Sequence, residues 1–197
     1  MTNNQPAARE RQVLWQPWSD PGMEHLHLLE DAEGVRADGL SILQEGDAVI
    51  RLRYRIRCTT SYEVREARVV LLEPEERSII LRAHADGTWT DGDGRPLPTL
   101  EGCVDIDINA SPFTNTLPIR RLRLEPGQSA EILVAYITVP ALEVYPAPQR
   151  YTCLSVESDH SVYRYEGLGT NFTADVRVDE DGLVVEYPEL CRRLWSM

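Results

Sequence analysis

The sequence contains no lysine, so all 20 of its basic residues other than histidine are arginines, set against 32 acidic residues. The resulting formal net charge of −12 makes the chain repel phosphate backbones, which argues against a nucleic-acid partner. Hydrophobic residues make up 42% of the 197 residues, a proportion typical of a globular chain. A chain of this length buries roughly 70% of its unfolded surface, so it needs no metal or disulfide to fold.

Long apolar segments and paired cysteines are also missing. The best apolar stretch, residues 132–142, is interrupted by Pro140 and falls short of the roughly 18 residues that suggest a membrane span. The first residues lack the basic and apolar regions of a secretory signal. Four widely separated cysteines without a CxxC pair are expected to be buried free thiols. We therefore expect a cytoplasmic protein with no integral membrane segment.

Motifs of the common enzyme classes are absent as well. The chain has no GxSxG, GxGxxG, P-loop or HExxH pattern, so no cofactor is expected and the case for an enzyme is weak. His25 and His27 share one face of a strand, but no third ligand follows at a metal-binding spacing. We expect these histidines to pack or hydrogen-bond rather than to hold a metal.

Short apolar-alternating runs separated by turn sequences predict an all-β, mainly antiparallel fold. The clearest strand is 49–58, where apolar residues alternate with four arginines. Thirteen strands are expected in all, at 24–29, 35–44, 49–58, 62–72, 78–83, 88–90, 103–109, 116–124, 130–139, 151–157, 162–165, 171–178 and 183–187. So many strands in one domain predict a single closed or nearly closed barrel, which removes exposed edges.

The two ends of the chain are expected to differ from the barrel. Residues 1–12 are polar and predict a flexible extension, which leaves 13–197 as a single barrel domain. Pro188 suits a first helical position, and it is followed by an apolar stripe of Leu190, Cys191, Leu194 and Trp195. This pattern predicts a short amphipathic helix at the C-terminus.

The four arginines at 51, 53, 55 and 57 allow more than one interpretation. They form either a cationic wall for phosphate or sulfate head groups inside the barrel, or a solvated strand face paired with acids on neighbouring strands. A mixed case, in which they face a polar interior and pair there with carboxylates, also stays open. The excess of acidic residues favours the second interpretation.

Two carboxylates, Asp105 and Asp107, lie on one face of a strand. This spacing suits either glycosidase-type acid/base chemistry or ion pairs with arginine. Aromatic residues near turns, among them Trp15, Trp89 and Phe113, are suited to lining the mouth of a ligand cavity or to the core.

Residues 111–122, Ser-Pro-Phe-Thr-Asn-Thr-Leu-Pro-Ile-Arg-Arg-Leu, follow Cys-Val-Asp-Ile-Asp-Ile-Asn at 103–109. Together they resemble the signature segment of a bacterial glycolipid-binding family. Residues 22–28, 34–39 and 86–94 are similar to other parts of that family, so the likeness covers about residues 15–195.

The resemblance implies an antiparallel β-barrel similar to the carriers of outer-membrane lipoproteins, with a glycolipid or other amphiphile as ligand. We read the end of the segment as a strand, in which Arg120 and Arg121 point to opposite faces. Only one of them would then face inward, and Asp105 or Asp107 would be its partner.

The leading hypothesis is therefore a non-enzymatic protein that holds an amphiphile in or at the mouth of the barrel. The residues expected to contact the ligand are Glu24, Trp89, Asp105, Asp107, Phe113, Asn115, Arg120 and Arg121. Two alternatives stay open, namely a carboxylate-based hydrolase of a sugar or lipid ester and a structural barrel with no ligand.

Overall fold

Fourteen strands form one sheet in the computed structural model, which describes residues 8–73 and 75–197. The first half of the chain supplies β1 (Arg9–Pro17), β2 (Gly22–Asp31), β3 (Gly34–Glu45), β4 (Ala48–Cys58), β5 (Val64–Glu73), β6 (Arg77–Ala83) and β7 (Trp89–Asp91). The second half supplies β8 (Asp105–Ile108), β9 (Ser129–Ile137), β10 (Val144–Val156), β11 (Ser161–Gly167), β12 (Thr173–Val178), β13 (Val184–Tyr187) and β14 (Cys191–Ser196). The predicted all-β class is confirmed.

The two ends of the chain meet in the middle of the sheet. β1 pairs with β2 on one side and β14 on the other, and the remaining strands follow outward to β7 and β8 at the edges. Neighbouring strands are antiparallel except for β8 and β9. Within the described residues β7 and β8 do not pair, so hydrogen bonds do not close the sheet into the expected barrel.

Side chains and loops nevertheless connect the two edges of the sheet. Trp89 of β7 donates its indole Nε1–H to the carbonyl of Cys103, just before β8, at 3.0 Å. Arg77 of β6 donates to the carbonyls of Pro140 and Ala141, between β9 and β10, at 2.6 and 3.2 Å. The sheet therefore curves until its edges are neighbours, and both halves contribute to one apolar core.

A helical segment occupies the place where a strand was predicted at 116–124. A 3-10 turn at Pro112–Asn115 continues into α1 (Thr116–Leu122), so the strand prediction is wrong. Pro118 lies in the first helical turn, where its missing N–H breaks no intrahelical bond. The segment places Phe113 and Leu117 in the core. The free energy gained by burying these side chains outweighs the preference for a strand that the alternating pattern indicates.

The predicted C-terminal helix is also wrong, because residues 191–196 form β14. β14 pairs with both β1 and β13. It therefore provides hydrogen-bond partners along the side of β1 that would otherwise be an open edge. The apolar stripe is not buried as a unit: Leu190, Leu194 and Trp195 are 46, 47 and 46% exposed, whereas Cys191 is buried. Backbone pairing therefore determined the conformation here, and side-chain periodicity did not.

No strand was predicted before residue 24, so β1 was missed, and residues 9–12 of the predicted flexible extension belong to it and pair with β2. Residues 1–7 of that extension lie outside the described residues. All four cysteines are buried free thiols, as predicted. None of the described helices has the length and hydrophobicity needed to cross a membrane.

The arginines of β4 lie on its exposed face, which confirms the second interpretation of that pattern. Arg53 makes a two-pronged contact with Asp38 of β3 at 2.9 and 2.6 Å, and Arg55 contacts the same carboxylate at 3.0 Å. Arg51 lies 3.7 Å from Glu73 of β5. Exposed ion pairs of this kind contribute about 0–1 kcal/mol each, so they add little to the stability of the fold.

Gly39 of β3 makes room for the ring of Tyr54, its partner residue on β4. A Cβ atom at Gly39 would lie only 2.0 Å from Cζ of that ring. Glycine in a strand interior often marks such a close approach. Here it lets the fully buried Tyr54 side chain lie across the concave face of β3.

We therefore expect Gly39→Ala to displace the Tyr54 ring and to lower the free energy of unfolding by about 2 kcal/mol, as overpacked cores do. Urea denaturation measures the change. Gly169→Ala is the matched control, because its Cβ would come no closer than 3.9 Å to another residue. Equal stability of the two variants would contradict the proposed packing.

Candidate functional site

A cavity of about 370 Å³ opens between the concave face of the sheet and the turn that precedes α1. Strands from both halves of the chain supply its walls, and residues 107–112 cross one side. Two acids line it, Glu24 from β2 and Asp107 from β8. Its volume lies within the range of small-molecule sites in proteins.

Glu24 is the buried acid of this cavity, at 3% exposure. The strict alternation of β2 turns it inward together with Leu26 and Leu28. Its carboxyl group accepts hydrogen bonds from Tyr54 Oη at 2.7 Å, Ser111 Oγ at 2.7 Å and Ser41 Oγ at 3.0 Å. Burial raises the pKa of Glu24 to about 7, and these three bonds only partly oppose the shift.

Asp107 is partly exposed to the cavity. Its carboxyl oxygens accept from Gln149 Nε2 of β10 at 2.6 Å and from Thr114 Oγ1 at 2.9 Å. Desolvation by the surrounding protein raises its pKa, and the two hydrogen bonds oppose this shift. Both cavity acids are therefore held by uncharged donors.

The short polar side chains of the signature segment hold these acids in place. Ser111 Oγ donates to Glu24 and also accepts from the backbone N–H of Phe113 at 3.3 Å. Thr114 Oγ1 lies against Asp107 from the same turn. The unusual run of serine, proline and threonine thus fixes a tight turn and supplies hydroxyl donors on both of its sides.

Aromatic side chains form the rest of the wall. Trp15, Tyr136, Tyr165, Phe172 and Tyr187 all line the cavity. The rings at 165, 172 and 187 contact one another with centroids 5.9–6.4 Å apart. Tyr165 and Tyr187 are 8 and 5% exposed, and within the described chain neither hydroxyl has a hydrogen-bond partner. These hydroxyls are available to a ligand.

Three of the eight predicted ligand residues line this cavity, namely Glu24, Asp107 and Asn115. Asn115 is fixed by its neighbours, because its Oδ1 accepts from Tyr151 Oη at 2.9 Å and its Nδ2 donates to the Pro112 carbonyl at 3.3 Å. The other five predicted residues lie elsewhere.

Two of those five form the buried ion pair that was one of the open interpretations. Arg121 of α1 donates to both oxygens of Asp105, the shortest distance being 2.6 Å, and Asp105 is completely buried. Arg120 is not directed to the opposite side of a strand as expected, because both arginines lie on a helix. It contacts Glu30 at 3.3 Å and lies over the ring of Tyr62.

The remaining two are core residues. Phe113 is completely buried and stacks on Tyr54 with ring centroids 6.2 Å apart. Trp89 is bound to the Cys103 carbonyl at the edge of the sheet. The histidines considered as metal ligands are hydrogen-bonded instead, His25 to Gln12 and His27 to Glu10. Among the described residues no group of histidine, cysteine and acid side chains could hold a metal.

Sequence reasoning missed the tyrosines at 136, 165 and 187 and the serine at 111. Tyr163 and Tyr165 were visible as alternate residues of one predicted strand, so their common inward face could have been inferred. That Tyr165 meets Phe172 and Tyr187 depends on the curvature of the sheet, which local patterns do not specify.

Glu24→Gln should change how stability depends on pH. Because the folded-state pKa of Glu24 is raised, its contribution to wild-type stability is present below about pH 4.5 and is lost as pH rises to about 7. The difference in unfolding free energy, E24Q minus wild type, should therefore rise on the order of 3 kcal/mol across that window. Chemical denaturation at several pH values measures it, with the exposed Glu125→Gln as control. A difference that does not change with pH would rule out a titrating buried carboxyl at this position.

Comparison with known proteins agrees with this architecture. A family model described as "Putative glycolipid-binding" matches residues 12–193. The crystal structure of a DUF1089 family protein from Pseudomonas aeruginosa is similar, with a TM-score of 0.79 and 43% sequence identity over 90% of this chain and 95% of that chain. No curated protein matches. The resemblance seen in the signature segment is confirmed, and the chain belongs to the glycolipid-binding family.

Proposed function

We propose that this protein binds an amphiphile and that the cavity holds the ligand's polar head group. The observation that carries the proposal is the combination of two acids and two unpartnered tyrosine hydroxyls in one aromatic-walled cavity. Hydrophobic walls with a few converging polar groups are characteristic of small-molecule sites. The family's description as glycolipid-binding supports a sugar-containing head group.

A sugar head group suits the chemistry of these walls. Its hydroxyls would donate to the carboxyl oxygens of Glu24 and Asp107 and accept from the hydroxyls of Tyr165 and Tyr187. Its apolar ring face would pack against the aromatic rings of the wall, as the body of an aromatic side chain favours. Each kind of contact uses a group already directed to the cavity.

The apolar tail has a separate place at the rim. Leu43, Phe172 and Leu190 line the opening, and the last two are 37 and 46% exposed. Trp18, which is 42% exposed, is bound through its backbone N–H to the Leu190 carbonyl at 3.1 Å. A cavity of about 370 Å³ lies at the small end of the range for ligand sites, so the tail would lie along this rim.

We further infer that residues 13–197 act as one binding domain in a reducing compartment such as the cytoplasm. One sheet runs through the whole of this range, and both halves of the chain line the cavity. The four buried free thiols are typical of proteins from reducing compartments.

A carboxylate-based hydrolase is the second candidate, because Asp107 lines the cavity and its pKa is raised. Binding is the better proposal on chemical grounds. A glycosidase needs two carboxyl groups that both reach the substrate. Asp105, the carboxylate expected to pair with Asp107, is bound by Arg121 and does not line the cavity.

We therefore expect no turnover of nitrophenyl glycosides or nitrophenyl esters above the rate in buffer. Release of nitrophenol, followed by absorbance, checks this directly. Turnover by the wild type that disappears in Asp107→Asn would favour the hydrolase over the binding protein.

Alkyl glycosides should bind with their head groups in the cavity, and Tyr187→Phe should weaken them. Loss of one hydrogen bond of about 1 kcal/mol corresponds to roughly five-fold weaker binding. Titration of octyl glucoside below its micelle concentration, followed by calorimetry, measures the change. Tyr145→Phe is the matched control, because Tyr145 is 44% exposed and lies outside the cavity. Equal losses in the two variants would contradict a head-group site at Tyr187.

A further inference from the structure

We propose that the head group carries an ammonium group, so that the cavity selects an amino sugar or similar amine-bearing head group over a neutral or anionic one. This inference rests on the proposed function and specifies the ligand class of the same site. Its basis is a contrast between the acids of the cavity and the acids buried elsewhere in the fold.

The acids buried away from the cavity have arginine partners. Asp105 is bound by Arg121 at 2.6 Å. Asp181, which is 2% exposed, is bound by Arg9 at 2.6 Å and also contacts Arg11. Removing a carboxylate from water is costly unless a positive charge compensates it, and in both places the chain supplies one.

The acids of the cavity have no such partner. The donors to Glu24 are three hydroxyl groups, and those to Asp107 are an amide and a hydroxyl. The described residues that line the cavity include neither arginine nor histidine. The sequence contains no lysine, so the chain has no side-chain ammonium group to offer. Because none of the described lining residues supplies a positive charge at this place, a cationic group of the ligand would supply it.

Both carboxyl groups also have free acceptor capacity. Together they accept five hydrogen bonds from the protein, whereas two carboxylates offer about eight acceptor positions. An ammonium group has three N–H donors and no acceptor, so it matches acceptors of this kind. Charge-assisted bonds of this type are roughly twice as strong as neutral ones.

The aromatic wall adds a second, independent attraction for a cation. The rings of Tyr165, Phe172 and Tyr187 line the same cavity as the acids. An ammonium group near the face of such a ring is stabilised by the ring's quadrupole. The unpartnered hydroxyls of Tyr165 and Tyr187 remain to accept or donate at the other positions of the head group.

The same arrangement disfavours a phosphate or sulfate head group. Such a group would enter beside two acids with no cation to compensate it, in a chain of net charge −12. Like charges brought together in a specific site cost several kcal/mol, which is how binding sites exclude wrong partners.

The preference for an amine should depend on pH. Above about pH 7 Glu24 is ionised and attracts the ammonium, whereas protonation at lower pH removes that attraction. The groups that face Glu24 are the hydroxyls of Ser41, Tyr54 and Ser111, and the Cys191 thiol lies close enough for its charge to couple to Glu24. Burial raises the pKa of that thiol to about 12, so the thiol stays neutral in this window.

The test compares three octyl glycosides that differ at one position, the glucoside, the 2-amino-2-deoxyglucoside and its N-acetyl derivative. Calorimetry at about pH 7.5 should give roughly ten-fold tighter binding of the amine, the equivalent of about 1.4 kcal/mol. The preference should shrink at about pH 5.5, where Glu24 is protonated. Octyl phosphate should bind more weakly than all three.

Two variants identify the groups responsible. Asp107→Asn and Glu24→Gln should each weaken binding of the amine several-fold more than they weaken binding of the neutral glucoside. Asp47→Asn, at an exposed turn, is the matched control. Circular dichroism establishes that each variant is folded, and the two acids are on different strands, so one variant suffices if the other does not fold.

The outcomes separate the two proposals. Equal affinity for the amine and the neutral glucoside, or tighter binding of octyl phosphate, would overturn the inference and leave the proposed amphiphile site standing. Failure of every glycoside to bind would instead contradict the proposed function itself. An amine preference that persists in both variants would also overturn the inference, because the attraction would then come from another part of the surface.

Discussion

The packing of the helical segment against the sheet depends on the hydrogen bonds and ion pairs that the acids of the concave face form. The helical segment after Ser111 packs against the curved sheet of fourteen strands and buries Phe113, Leu117 and Ile119 in the core. That segment is held at one end by the Ser111–Glu24 hydrogen bond and at the other by the Arg121–Asp105 ion pair. Both contacts join a buried acid of the sheet to a polar group of the segment, so they fix where the remaining cavity lies.

The buried acids of the fold fall into two groups that differ in whether an arginine compensates their charge. Arginine compensates Asp105 and Asp181, which stabilise the packing of the helical segment and the N-terminal strand. Glu24 and Asp107 have uncharged donors and line the open space. Breaking an arginine pair would leave an uncompensated buried charge, whereas the cavity acids have no charged partner among the described residues that line the cavity. The same residue type therefore occurs in two electrostatic environments within one fold.

The fold class could be predicted from sequence because strand alternation is local. Ile50 to Cys58 and the intervening arginines required only the period of two that one strand imposes. The predictions failed at residues 116–122 and 191–196, where contacts with distant parts of the chain determined the conformation. At the first place burial of Leu117 favoured a helix, and at the second the unpaired edge of β1 favoured a strand. The candidate site was only partly predictable for the same reason, since Glu24 and Asp107 meet only when the sheet curves.

Among the described residues no cation compensates the two acids that line the cavity. Carbon-13 NMR titration of the side-chain carboxyl groups measures the consequence, with Glu24→Gln and Asp107→Asn providing the assignments. We expect Glu24 to titrate near pH 7 and Asp107 to titrate above the ordinary aspartate range. Titration of both groups at the ordinary values of exposed acids would contradict it, because the cavity would then be as well solvated as the surface.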